Sequence, residues 1–134
     1  MDSHFKKWRR VEQNVAALLE TFEETKKVED VSERNLGYDI KVLKRDGTEN
    51  YYEVKSVSSL GDTISITNNE YSTANELGNS YYLAIAQQNI DDISVCFVCN
   101  PIKNLNLTKR VVRWKWIAND YEGFVVEGTL KTYD

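Results

Sequence analysis

Asp39 and the triplet Glu53-Val54-Lys55 sit near the two ends of the stretch "GYDIKVLKRDGTENYYEVKSV", Gly37 to Val57. Two carboxylates and a lysine are the residue types that metal-assisted hydrolysis of a phosphodiester needs. The carboxylates offer hard oxygen ligands to Mg²⁺ or Mn²⁺, which polarises the phosphate and lowers the pKa of a bound water. A lysine beside them can orient or help deprotonate that water, and can offset the charge building on the phosphate. Side chains alternate along a strand, so Glu53 and Lys55, two positions apart, share a face. Solvated cross-strand ion pairs produce the same pattern, so the elements that position these residues must decide.

The stretch reads as a β-hairpin, with Tyr38, Ile40 and Val42 alternating in one strand and Tyr52 and Val54 in the other. Its loop sets the outcome. A two-residue Asp46-Gly47 loop places Asp39 opposite Val54 and sends Asp39 and Glu53 to different faces. A three-residue Arg45-Asp46-Gly47 loop, with Gly47 left-handed, places Asp39 opposite Glu53 and gathers both with Lys55. A bulge would also change the parity.

Around the hairpin, Trp8, Val11, Val15, Leu18, Leu19 and Phe22 recur at helical spacing and predict a helix from about Phe5 to Lys27. Glu12 falls at the edge of this stripe or within it, where its head either snorkels to water, pairs with Arg9, or serves chemistry. After the polar stretch "EDVSERNLG" and the hairpin, "SLGDTISI" reads as a further short strand. "TNNEYSTANELGNS" is a helix with Thr67 and Glu70 as a capping box and Gly78 as its C-cap. "YYLAIAQ" and "ISVCFVCN" are two buried strands closed by Pro101, and the order predicts an α/β mixed β-sheet flanked by helices. In the tail from Ile102 to Asp134, "RVVRWKWIA" and "GFVVEGTLK" predict a C-terminal β-hairpin extension. Arg110, Arg113 and Lys115, interleaved with tryptophans, either meet nucleic acid by charge and stacking or face water from an edge strand.

At 134 residues, 41% hydrophobic and 28% charged with a single proline, the chain is expected to be one folded domain. No window offers the about 20 apolar residues of a membrane span, and no apolar stretch follows the basic "KKWRR", so a cytoplasmic protein without membrane partners is expected. A net charge of -4 argues against a non-specific DNA-coating protein but leaves nucleic-acid enzymes open. Cys96 and Cys99 have the spacing of half a zinc site, yet they lie on a strand and the chain's one histidine is His4. Two thiols packed as small apolar residues are the expectation, with no role for His4.

The run "EDVSERNLGYDIKV", then "YYEVKSV" and "ISITNNEYSTANELGNSYYLAIA", resembles the domain family found at the C-terminus of the plant protein NO VEIN and in many bacterial proteins. That family is similar in turn to the PD-(D/E)XK nuclease superfamily, whose fold is restriction endonuclease-like. The resemblance covers about residues 8–101, and its most specific pieces are "NLGYD", "EVK", "T-x-N-E" and the closing "NP". It implies that Asp39 is the motif aspartate, Glu53 the motif acid and Lys55 the motif lysine, with Glu12 as the helix glutamate completing a metal site of Asp39, Glu53 and Glu12. Asn69 and Glu70 match the "NE" of the second helix, and Ser56 and Val57 depart mildly from the residues that follow the lysine in relatives. The implied function is Mg²⁺- or Mn²⁺-dependent nucleic-acid hydrolysis, on DNA rather than RNA, in defence, restriction or DNA processing. The implied partners are a second copy of the chain or an ATPase or helicase. A non-catalytic module of the same fold, binding nucleic acid or protein, is the alternative.

Overall fold

The computed structural model of the chain describes residues 10–111, 113 and 115–130. Its elements are α1 (Val11–Glu20), β1 (Thr25–Asp30), β2 (Ile40–Lys44), β3 (Glu49–Ser56), α2 (Asn68–Leu77), β4 (Tyr81–Gln88), β5 (Ile93–Cys99) and the short α3 (Pro101–Asn104). The five strands form one sheet in chain order. Only β3 and β4 pair in parallel, and the crossover between them carries α2. The other three pairings are antiparallel, so the fold is α/β with a mixed sheet flanked by helices.

Strand periodicity divides the core in two. Ile40, Val42, Tyr52, Val54, Ala84 and Ala86 point to the face covered by Val15 and Leu19 of α1. Tyr81 and Leu83, with the half-buried Tyr51 and Ile85, point to the opposite face, against Ala74 and Leu77 of α2. Glu53 and Lys55 have the parity of Tyr51. They therefore belong to the α2 face, while α1 lies behind the sheet.

Several expectations need correction. The first helix ends at Glu20, with Thr21 Oγ1 donating to the Leu18 carbonyl at 2.6 Å, and the chain then turns into β1. β1 carries Lys26, Lys27, Glu29 and Asp30 in six residues. Charges suit an edge strand, whose open side must not recruit other chains, but they hide its periodicity. "SLGDTISI" is not a strand. Ile64 and Ile66 alternate toward the α2-side core, yet β3 is already bonded to β2 and β4 and has no free edge to offer. The count of three strands between the two main helices is thus right, with β1 in place of that segment.

The C-terminal hairpin is absent among the described residues of the tail, which hold one 3-10 turn at Glu122–Phe124 and no strand. An isolated two-stranded hairpin is marginal unless it packs on something, and here Trp116 is 95% exposed and Ile117, Phe124 and Val126 are exposed too. Cys96 is exposed and Cys99 half-buried on β5, so the first is not packed as a core residue. Phe5, Trp8, Arg9 and His4 lie outside the described residues. No helix among the described residues is long and apolar enough to cross a membrane.

Candidate active site

The hairpin takes the three-residue loop. Ile40 pairs with Tyr52 and Leu43 with Glu49, the loop is closed by Lys44 N–H to the Thr48 carbonyl at 2.8 Å, and Gly47 sits at φ 88°. One step beyond Ile40, this register sets Asp39 beside Glu53. Asp39 is fixed three ways. Its N–H donates to the Tyr52 carbonyl, its carbonyl accepts from Val31 N–H, and its Oδ2 accepts from Val54 N–H, each at 2.8 Å. The carboxylate thus takes over a ladder position at the end of the strand pair and is aimed inward.

The register brings the Asp39 and Glu53 carboxyls close enough for each to perturb the other's ionisation. Two carboxyls in contact cannot both ionise cheaply, and one must hold a proton. Glu53 is 6% exposed. Burial first, then the Asp39 and Glu70 charges, push its carboxyl up to about 9. Asp39 is also raised, chiefly by burial, against the Val54 hydrogen bond that favours its anion. At neutral pH Glu53 therefore holds a proton. Lys55 does little to relieve this, because its Nζ stands 3.7 Å from Glu53 but 2.6 Å from Glu70 Oε1.

Glu70 is the residue that the sequence left mainly as a cap. Its Oε1 accepts from Thr67 N–H at 3.0 Å, while Glu70 N–H donates to Thr67 Oγ1 at 3.2 Å, completing the expected capping box. The same oxygen holds Lys55. Nothing in the capping signature announces that second task, since it depends on α2 lying over β3.

Tyr81 and Gly37 were also missed. The Tyr81 hydroxyl donates to the Gly37 carbonyl at 2.8 Å in the interior, and burial together with the Glu53, Glu70 and Asp39 charges pushes it well above the usual phenol range. Gly37, at φ 86°, lies so close to α2 that a Cβ there would stand 2.2 Å from Thr73 Oγ1 and 2.8 Å from Thr73 Cβ. The segment leading into Asp39 is therefore seated directly on α2.

Glu12 lies in the first turn of α1, and its charge raises Asp39. Among the described residues it makes no hydrogen bond or ion pair with the cluster. No three or more His, Cys, Asp or Glu side chains among the described residues form a group that could hold a metal ion; of the implied trio, Asp39 and Glu53 are neighbours in the hairpin register and Glu12 stands on α1. Next to Glu12, Asn14 is buried and its Nδ2 donates to Gln88 Oε1. Two surface depressions, at the Gln88–Asp92 turn and along Arg10 and Asp30–Arg34, do not include the cluster.

Comparison with known families gives one match, to the model described as Protein NO VEIN, C-terminal, over residues 10–97. That span is about two thirds of the chain. The chain belongs to the NO VEIN C-terminal family. No curated protein matches it, nor does any solved structure. The NO VEIN C-terminal span contains Glu12, Asp39, Glu53, Lys55 and Glu70 and ends within β5, three residues short of Asn100-Pro101. Asn100 nevertheless has a structural task. At φ 48° it caps α3, and its Nδ2 donates to Asn79 Oδ1 at 2.9 Å. Arg110, Arg113 and Lys115 fall outside the family span, are exposed, and are not brought to the cluster by any contact among the described residues.

Proposed function

We propose that the chain is a metal-dependent nuclease with a restriction endonuclease-like fold. The order α1, β1, β2, β3, α2, β4, with the aspartate at the start of β2 and Glu-x-Lys on β3, fits the PD-(D/E)XK reading. The single observation that carries the proposal is the convergence of a half-buried Asp39 and a buried Glu53 on one face, with Lys55, the cation beside Glu53, no closer than 3.7 Å. Desolvated paired carboxyls are costly for a fold to keep, and they gain most from a divalent cation that replaces the shared proton.

The donor set fits a hard cation. Mg²⁺ commonly takes one or two carboxylates and completes its octahedron with water and substrate oxygens, so a pair suffices. Asp39 and Glu53 would hold the ion, and Glu12 on α1 would add its charge to the site. When bound, the ion would acidify water and polarise a phosphate. Asp39 is oriented for this by Val54 N–H and Glu53 by its place on a central strand. Lys55, on the same face with its ammonium held by Glu70, would supply the cationic donor for an attacking water or a phosphate oxygen.

DNA, reached with the help of a second copy or of a partner ATPase or helicase, is the proposed substrate. The rival is a module of the same fold that binds nucleic acid without cutting it. A panel of single- and double-stranded DNA and RNA, incubated with Mn²⁺ or Mg²⁺ or with chelator, separates the two. The nuclease reading expects metal-dependent cleavage that falls at least about 100-fold in Lys55→Ala and Asp39→Ala. Retention without cleavage above the Lys55→Ala control, weakening as salt rises, gives the binding module instead.

A further inference from the structure

Lys55 has two acids within reach and takes the one on α2. Its Nζ is 2.6 Å from Glu70 Oε1 and 3.7 Å from Glu53 Oε2, with all three side chains largely out of solvent. Glu70 is held in turn. Its Oε1 also accepts from Thr67 N–H, so the oxygen that binds the ammonium is clamped to the first turn of a ten-residue helix. That helix is registered against the Asp39 segment through the tight Gly37–Thr73 approach and by Asn69 Nδ2 donating to the Asn35 carbonyl at 3.5 Å. One helix terminus therefore sets both the lysine and the backbone entering the aspartate.

From this geometry we infer that Glu70 is the positioning residue for Lys55: it draws the ammonium toward α2, off Glu53, and so keeps the Asp39–Glu53 pair open to a cation. Lysine is a flexible point charge that goes to the nearest anion. Without the Glu70 carboxylate, the acid left in ion-pair range of Lys55 among the described residues is Glu53. The ammonium would then settle on the pair itself and occupy the place of the metal. The inference rests on the nuclease reading for what Lys55 does, but not for where it sits.

Glu70→Gln isolates the effect, because glutamine serves a capping box as well as glutamate does and removes only the charge that holds Lys55. Thr67→Ala is the complementary control, loosening the cap and leaving the carboxylate. In the metal-free protein the Lys55 ammonium should give a resolved ¹H–¹⁵N cross-peak, which Glu70→Gln should shift or broaden away, and a crystal structure of that variant should show Nζ within hydrogen-bond distance of Glu53. In cleavage assays Glu70→Gln should lower kcat by about tenfold or more, as misplacement of a catalytic group does, with KM changed less than about twofold. Thr67→Ala should lower the melting temperature by a few degrees and lower kcat by clearly less than Glu70→Gln does, since the carboxylate that holds Lys55 remains. An unaltered cross-peak with Lys55 unmoved in Glu70→Gln overturns the inference, as does a loss of kcat in Thr67→Ala equal to that in Glu70→Gln. A wild type that cuts nothing removes the nuclease reading, and the cross-peak then decides the positioning of Lys55 by itself.

Discussion

Glu53 shows at the scale of one residue what the site costs the fold. Its carboxyl is raised to about 9, against an ordinary value of 4.5, by burial and by the like charges of Asp39 and Glu70. In the unfolded chain it ionises near 4.5, so between these two values unfolding releases a proton and rising pH favours the unfolded state. The metal-free protein should thus have the full contribution of this group below about pH 4.5 and lose it progressively toward pH 9. Glu53→Gln, which cannot ionise, should remove that slope. We expect it to melt about 5 °C above the wild type at pH 8 and within about a degree of it at pH 4. Thermal melts across the range with chelator present check this, and a wild-type melting temperature flat from pH 5 to 9 would contradict it. The residue types at the site could be read from the chain, while the pairing of Asp39 with Glu53 was one of two registers the sequence left open until the loop length was seen. The protonation of Glu53 could not be read, because it follows from how deeply α2 and β4 bury it.

Among the elements, two glycines with almost the same backbone angle have opposite surroundings. Gly47 at φ 88° sits in the hairpin loop with nothing within 4 Å of an added Cβ, whereas Gly37 at φ 86° would collide with Thr73. Gly47→Ala should cost only the strain of a left-handed alanine, about 1 kcal/mol. Gly37→Ala adds overpacking of a further ~1–3 kcal/mol, because Thr73 sits on a helix that cannot step aside. Denaturant unfolding of the two variants measures the difference, and equal losses would mean that α2 is not seated on this segment. The loop glycine was legible in the sequence, since an Asp-Gly turn between alternating strands is a strong local signal. Gly37 was visible only as part of "NLGYD", as its constraint comes from a helix more than thirty residues away in sequence. The same division separates α2, announced by Thr67, Glu70 and Gly78 in its own chain, from β1, whose lysines and acids conceal a strand that exists because β2 offers it an edge.

For the whole molecule, the α/β class followed from the alternation of patterns along the chain, and the mixed pairing followed from a helix lying between two strands. The fate of the tail did not. "RVVRWKWIA" and "GFVVEGTLK" have strand composition, but composition cannot supply a surface to pack on, and Trp116, Ile117 and Val126 are left facing solvent. The parallel seam between β3 and β4 bears on how the molecule assembles in time. Hairpins β2–β3 and β4–β5 join neighbours across loops of a few residues, while β3 meets β4 only after Val57–Ser80, 24 residues, has been gathered in. The entropy of closing that longer loop must be met before its contacts reward it, so the seam and α2 should form after the hairpins. Asp39 and Glu53 would then be brought together while still wet and desolvated only in the last step. Stopped-flow kinetics should find that Val42→Ala chiefly slows folding, whereas Ala74→Gly on α2 chiefly speeds unfolding, and the reverse pattern would place the seam first. On the proposed metal-dependent reading, that late desolvation of Asp39 and Glu53 would be the step at which folding and cation uptake are coupled.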